Sequence, residues 1–119
     1  MNSSFDVIII GAGPAGLSLA YCLGKNKLST LLIEKKSIKL IGEKTCGDAL
    51  GFERTEELKT LCQIEEPNSE SVCEKLETVH LSSANKFEIS IAFQCRTIDR
   101  LKYGQQLLKM CKISQQFLY

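Results

Sequence analysis

The sequence has no surplus of either charge: fifteen basic residues stand against fourteen acidic ones, a net charge of +1 over 119 residues. That balance leaves no electrostatic footprint for a nucleic-acid partner. A basic leader is also missing, and the apolar run that follows Met1-Asn2-Ser3-Ser4 is far shorter than a secretory or membrane-spanning segment. The chain is therefore expected to start in the cytosol, and no stretch has the pattern of an amphipathic membrane anchor. Histidine is represented only by His80, which lies in a strand-like run and reads as a surface or core-edge residue, so zinc has no constellation here. Cys22, Cys46, Cys62, Cys73, Cys95 and Cys111 are spaced too widely for any CxxC. Their even number would suit a disulfide framework, but the missing leader points to a reducing compartment, with most of them acting as small buried hydrophobes.

What the sequence does have is an ordered run from Asp6 to Lys35. Asp6 to Ile10, with three consecutive isoleucines, has the composition of a parallel strand buried on both faces. Gly11-Ala12-Gly13-Pro14-Ala15-Gly16 supplies GxGxxG where that strand should end. In such a turn Gly11 permits the tight bend, Gly13 lets backbone approach a pyrophosphate, and Gly16 lets the next helix lie close to the strand. A helix from Pro14 to about Leu23 would aim its unpaired N–H groups and positive dipole end at a diphosphate, with Gly24 as its stop. Ser29 to Ile33 returns as a second strand, closed by Glu34, 18 positions after Gly16. That is near the roughly 20-residue offset at which an acidic side chain meets a ribose hydroxyl. A carboxylate there repels a 2′-phosphate and disfavours NADP. Strand, turn, helix and acid fall in register, which predicts a dinucleotide site; the residues alone do not separate FAD from NAD.

Beyond Glu34 the chain becomes basic and irregular, with Lys35, Lys36, Lys39 and Lys44, and reaches Ile41-Gly42-Glu43-Lys44-Thr45-Cys46-Gly47-Asp48-Ala49. Lysines beside a diphosphate are electrostatically sensible, and Gly47 to Ala49 could bring backbone N–H groups to a cofactor. Together, DVIIIGAGPAG, LLIEK and IGEKTCGDA resemble the N-terminal part of the geranylgeranyl reductase family of FAD-dependent oxidoreductases, including its archaeal digeranylgeranylglycerophospholipid reductases. The resemblance implies FAD as cofactor and an isoprenoid or prenyl-lipid substrate whose double bonds are saturated. It leaves the electron donor unspecified, and a lipid substrate is compatible with peripheral membrane contact. It also implies roles by position: Gly11, Gly13, Ala15 and Gly16 around the diphosphate, Glu34 on the adenosine ribose with Lys35 beside it, and Cys46, Gly47 and Ala49 on the flavin side. No catalytic residue follows from it.

The remaining chain reads as a helix from Gly51 to Ile64 with Leu58, Leu61 and Cys62 on one face, ended by Pro67-Asn68-Ser69. A strand over Leu76–Leu81 and a half-buried strand with Phe87, Ile89, Ile91 and Phe93 alternating follow, joined by a Ser82–Lys86 turn. Thr97-Ile98-Asp99-Arg100 opens a last helix, with Asp99 or Thr97 as cap and Leu101, Leu108 and Cys111 on one face. Gly104 weakens this helix by up to about 1 kcal/mol. By the family match, Arg100, followed by Tyr103 and Leu107-Leu108, is a further FAD contact, its cation suited to diphosphate or ribose oxygens.

The expected fold is thus α/β: a partial Rossmann-like FAD-binding domain over 1–119. It divides into a βαβ unit with the CGD loop (1–50), a helix and antiparallel hairpin on the substrate side (51–96) and a helix returning to the cofactor site (97–119). The third parallel strand of the family is expected to be missing, leaving the sheet incomplete and its flank open, as in a truncated or frame-shifted reading frame. Two other readings share these features: part of an FAD-dependent monooxygenase or halogenase, and a non-catalytic dinucleotide-binding fragment.

Overall fold

The computed structural model describes residues 4–84, 86–113 and 117–118. The expectations for Met1 to Ser3, for Asn85 in the hairpin turn, and for residues 114–116 and 119 of the C-terminal run lie outside the described residues.

β1 (Val7–Ile10) and β2 (Thr30–Ile33) pair in parallel, Val7 opposite Thr30 and Ile10 opposite Ile33. Asp6 fixes the start of this register, since its carboxylate accepts the Ser29 N–H at 2.8 Å. α1 (Pro14–Lys25) makes the crossover between them. It runs through Gly24, the expected stop, and closes where the Asn26 N–H reaches the Cys22 carbonyl and Lys27 turns to φ +61. A two-residue β6 (Phe117–Leu118) pairs in parallel with β2 and gives the order β1-β2-β6. The expected loss of the third parallel strand is thereby corrected: its beginning is present, and β2 is not an open flank.

The second sheet is antiparallel, in the order β3-β5-β4. β3 (Ala49–Gly51) leads directly into α2 (Phe52–Cys62), while β4 (Val72–Ser82) and β5 (Glu88–Ile98) form a long hairpin. Both hairpin strands are longer than their alternation suggested, and β5 absorbs Thr97 and Ile98, which had been assigned to the helix start. α3 (Arg100–Ile113) follows, capped by Asp99, whose Oδ1 accepts the Lys102 N–H at 3.0 Å.

One core joins α1, α3 and the inner face of the parallel sheet through Ile9, Leu17, Ala20, Leu32, Leu107, Leu108 and Cys111, with Ile41, Ile64, Ile98 and Tyr103 closing its lower edge. Three expectations about faces fail. β1, read as buried on both faces, buries Ile9 but leaves Ile8 59% and Ile10 85% exposed. On α2 only Thr55 is fully buried, and Leu61 is 73% exposed. Along β5, Ile89, Ile91 and Phe93 stay 40 to 48% exposed, since no layer formed by the described residues covers the outer half of the hairpin. The projecting hairpin stretches the molecule to 65 Å along an axis, against 29 and 25 Å across.

Cysteine usage also departs from expectation. Cys95 and Cys111 are buried thiols, but Cys46 and Cys73 are exposed, and Cys22 and Cys62 form a disulfide across Cα atoms 5.5 Å apart. The fold brings the C-terminal half of α1 against the end of α2, an approach that a sequence separation of 40 does not reveal.

Candidate functional site

The site is built at the carboxyl end of β1. Gly11 takes φ +102, a left-handed conformation open to glycine, and its N–H donates to the Ile33 carbonyl at 2.7 Å. The chain then enters α1 with Gly13 as N-cap and Pro14 in its first turn. Gly16 lies against this bend: a Cβ there would stand 2.0 Å from the Gly11 carbonyl oxygen, so only glycine fits. At Gly13, by contrast, a Cβ would meet nothing within 4 Å. The turn therefore leaves open space in front of the free N–H groups of the helix, the setting in which an anion is held.

Glu34 ties the turn to β2. Its Oε2 accepts the Ala12 N–H at 2.6 Å and its Oε1 the Lys36 N–H at 2.9 Å. These backbone donors, Lys36 first and then Ala12, hold its carboxyl below the usual glutamate range against a smaller opposing effect of burial. Each oxygen keeps acceptor capacity beyond the bond it makes.

A cavity of about 280 Å³ opens here, walled by Gly13, Ala15, Glu34, Lys36, Gly42, Lys44 and Arg100. Of the expected site residues it gathers Gly13, Ala15, Glu34 and Arg100. Lys35 does not line it; its side chain is exposed, and Lys36 takes the place expected of it, with its ammonium donating to the Glu43 carbonyl.

Arg100 reaches the site because α3 presses its first turn against the 41–43 loop. Gly42 (φ +106) and Gly104 meet backbone to backbone, and a Cβ on Gly104 would lie 2.4 Å from the Gly42 Cα. Gly104 is thus a contact surface as well as a weak helix former; its partner is 62 positions away, and no local pattern announces the pair. Gln105 adds to the clamp, its side-chain amide donating to the carbonyls of Ile38 and Ile41 at 2.9 Å each.

From this position the Arg100 guanidinium donates to Cys46 Sγ at 3.2 Å. Cys46 also accepts the Asp48 N–H at 3.2 Å and donates to Asp48 Oδ1 at 3.1 Å, a tight turn in which Asp48 takes φ +57. Gly47 is exposed, a Cβ there would meet nothing within 4 Å, and Ala49 starts β3 opposite Thr97. The structure therefore joins Cys46 to Arg100, while Gly47 and Ala49 stand outside the cavity. The Arg100 Nε is buried with no partner among the described residues, an orphaned donor at the edge of the site.

This arrangement defines the class: the fold is the N-terminal part of a Rossmann-like FAD-binding domain, with a parallel βαβ unit, an antiparallel sheet and a helix returning to the glycine turn. Its sequence is similar to that part of the geranylgeranyl reductase family. A digeranylgeranylglycerophospholipid reductase of Sulfolobus acidocaldarius is 50% identical over 46 residues, which is 39% of this chain and 10% of that protein. One from Methanothermobacter thermautotrophicus is 33% identical over 89 residues, 75% of this chain and 21% of that protein. The chain thus spans about a tenth to a fifth of these reductases' length. The model of the Thi4 family matches residues 2–54. Among solved structures, a geranylgeranyl bacteriochlorophyll reductase-like protein of Thermoplasma acidophilum superposes with a TM-score of 0.81 at 20% identity, over 97% of this chain and 29% of that one. A flavin-dependent brominase gives 0.77 at 22% identity, over 98% and 29%. At these identities the two structures speak for the fold.

Proposed function

We infer that the chain forms the FAD-binding part of a flavin-dependent reductase that saturates double bonds of an isoprenoid lipid. The observation that carries this reading is the convergence of the glycine turn, Glu34 and Arg100 on one cavity, with Cys46 of the CGD loop bonded to Arg100 at 3.2 Å. The residues fit the cofactor: the space in front of Gly13 and the helix N–H groups suits a diphosphate, and the orphaned Arg100 Nε is a donor awaiting an acceptor. Gly11, Gly13, Ala15 and Gly16 would hold the diphosphate, Glu34 the ribose, and Cys46, Gly47 and Ala49 the flavin side. Bound FAD would supply the hydride for alkene reduction. The chain's own part is to bind and orient: Glu34 keeps the turn in shape, and the Gly42–Gly104 contact carries Arg100 to the anion. Residues 1–50 act as the dinucleotide unit, 51–96 as the substrate side and 97–119 as the return to the cofactor.

The relatives' names support the prenyl-lipid substrate class. The fold shared with the brominase favours a second reading, an FAD-dependent monooxygenase or halogenase. Oxygen uptake coupled to substrate would favour that second reading; alkene reduction without it favours the first. The binding claim is tested by absorbance spectra of the purified chain with FAD, beside a Gly13→Trp variant. Bound flavin that survives gel filtration in the parent and is lost in the variant is expected. Equal binding by both would overturn the assignment of the turn.

A further inference from the structure

Between α1 and α2 lies a groove of about 440 Å³ with largely apolar walls, which the cofactor reading leaves unused. Its walls repeat at helical spacing, with Pro14, Ser18 and Cys22 on α1 and Arg54, Leu58 and Cys62 on α2. Residues at i, i+4 and i+8 form one stripe of a helix, so the groove follows both helices for about 12 Å. The Cys22–Cys62 bridge closes it at one end. At the other end Pro14 and Ala15 also line the cofactor cavity, so the two spaces adjoin. One long side is open to solvent past the exposed Leu19 and Arg54.

Polar groups in the groove are few. The Thr55 hydroxyl is engaged, donating to the Phe52 carbonyl at 2.8 Å and accepting from Arg96 at 2.6 Å. Tyr103 is different: it is 4% exposed, and no described residue bonds its hydroxyl. A buried tyrosine hydroxyl ordinarily has a partner. Burial, partly offset by the charge of Arg96, pushes its pKa above the ordinary 10.0, so Tyr103 lines the groove as a neutral donor.

The dimensions narrow the choice of occupant. A space of about 440 Å³ drawn out over about 12 Å is roughly 7 Å across. An α-helix with its side chains measures about 10–12 Å, too wide to lie within it. A hydrocarbon chain, whose carbons pack about 3.5–4.0 Å from their neighbours, fits lengthwise. Apolar walls with one directing hydroxyl are the make-up of a site for an uncharged, oxygen-bearing chain.

We propose that the groove between α1 and α2 binds an isoprenoid chain lengthwise, with the Tyr103 hydroxyl donating to an oxygen that the chain carries. The shared wall at Pro14 and Ala15 brings such a chain beside the cofactor. The isoprenoid identity rests on the functional reading above; the groove itself uses neither Glu34 nor Arg100.

The test is photolabelling of the whole purified chain with a diazirine derivative of farnesol, the labelled peptides being mapped by mass spectrometry. FAD binding is measured on the same preparations by absorbance after gel filtration. Label is expected on the peptides that hold Leu19 and Leu58, and farnesol should compete it away better than dodecanol, a straight-chain alcohol. Leu19→Trp, which fills the open side from an exposed position, should cut labelling roughly tenfold or more. Tyr103→Phe keeps the ring and should weaken competition by farnesol roughly three- to tenfold, while competition by farnesene, a hydrocarbon without the oxygen, stays unchanged. Both variants should bind FAD as the parent does. Label confined to the Phe87–Phe93 face of the hairpin, equal competition by dodecanol, or unchanged competition by farnesol in Tyr103→Phe would each overturn the proposal. So would groove labelling that falls as the chain is concentrated, since a second copy would then be the occupant. Groove labelling in a chain that holds no FAD supports the groove and sinks the flavin reading; FAD held by a chain whose groove takes no label sinks the groove alone.

Discussion

Single residues in this chain act at a distance. Glu34 was read as a ribose ligand, yet its bonds to Ala12 and Lys36 show that it also shapes the turn. Replacing it by Gln should weaken those charge-assisted bonds by about 1–2 kcal/mol, detected as faster hydrogen exchange of the Ala12 amide. Because its folded pKa lies below the ordinary 4.5, this support is present above that value and fades as pH falls through the lower folded pKa. Cys111 behaves in the opposite sense: burial pushes its thiol from 9.0 up to about 11. Its contribution to stability is complete below pH 9 and is lost as pH rises toward about 11, so urea midpoints should drop across that window and drop less in Cys111→Ala. Gly104→Ala sets two effects against each other. The helix gains up to about 1 kcal/mol of propensity, but the new Cβ meets the Gly42 backbone at 2.4 Å. Forcing these main chains apart costs about 1–3 kcal/mol, so the variant should be less stable than the parent.

At the scale of elements, the parallel βαβ unit was legible because its period, glycine spacing and closing acid all lie within one continuous stretch. What stayed hidden depends on residues that meet only after folding. Arg96 gives an instance. Its position in β5 looks like a surface charge, but it is 4% exposed, donates to the Thr55 hydroxyl at 2.6 Å and to Glu66 at 3.3 Å, and lies 4.4 Å from the centre of the Phe52 ring. It therefore pins α2 and the loop before β4 to the antiparallel sheet. Arg96→Ala should cost about 2–4 kcal/mol through a cavity and stranded partners, while Arg96→Met, which keeps the volume, should cost less. Denaturant titration of the two variants checks the order. The exposed faces of the hairpin were misread for a related reason: strict alternation identifies a strand with two unlike faces but does not say whether anything lies over the apolar one.

On the scale of the whole molecule, the described residues leave two sheet faces with exposed apolar side chains. Ile8 and Ile10 are 59% and 85% exposed on the outer face of the parallel sheet, and Phe87, Ile89, Ile91 and Phe93 line the projecting hairpin. Such patches favour self-association. Light scattering of the isolated chain should therefore rise with concentration, and Ile10→Lys should lower it with little loss of stability.

The Cys22–Cys62 bridge also decides what the chain becomes once its fold is gone. With a sequence separation of 40, it closes a ring that holds β2, Glu34 and the Cys46 loop, and the rest of the chain hangs from that ring as two tails. By loop-closure entropy such a ring is worth about 4 kcal/mol to the folded state. The oxidised denatured chain is then a lasso of smaller hydrodynamic radius than the reduced coil. It exposes less new surface on unfolding, so its denaturant m-value is the lower of the two.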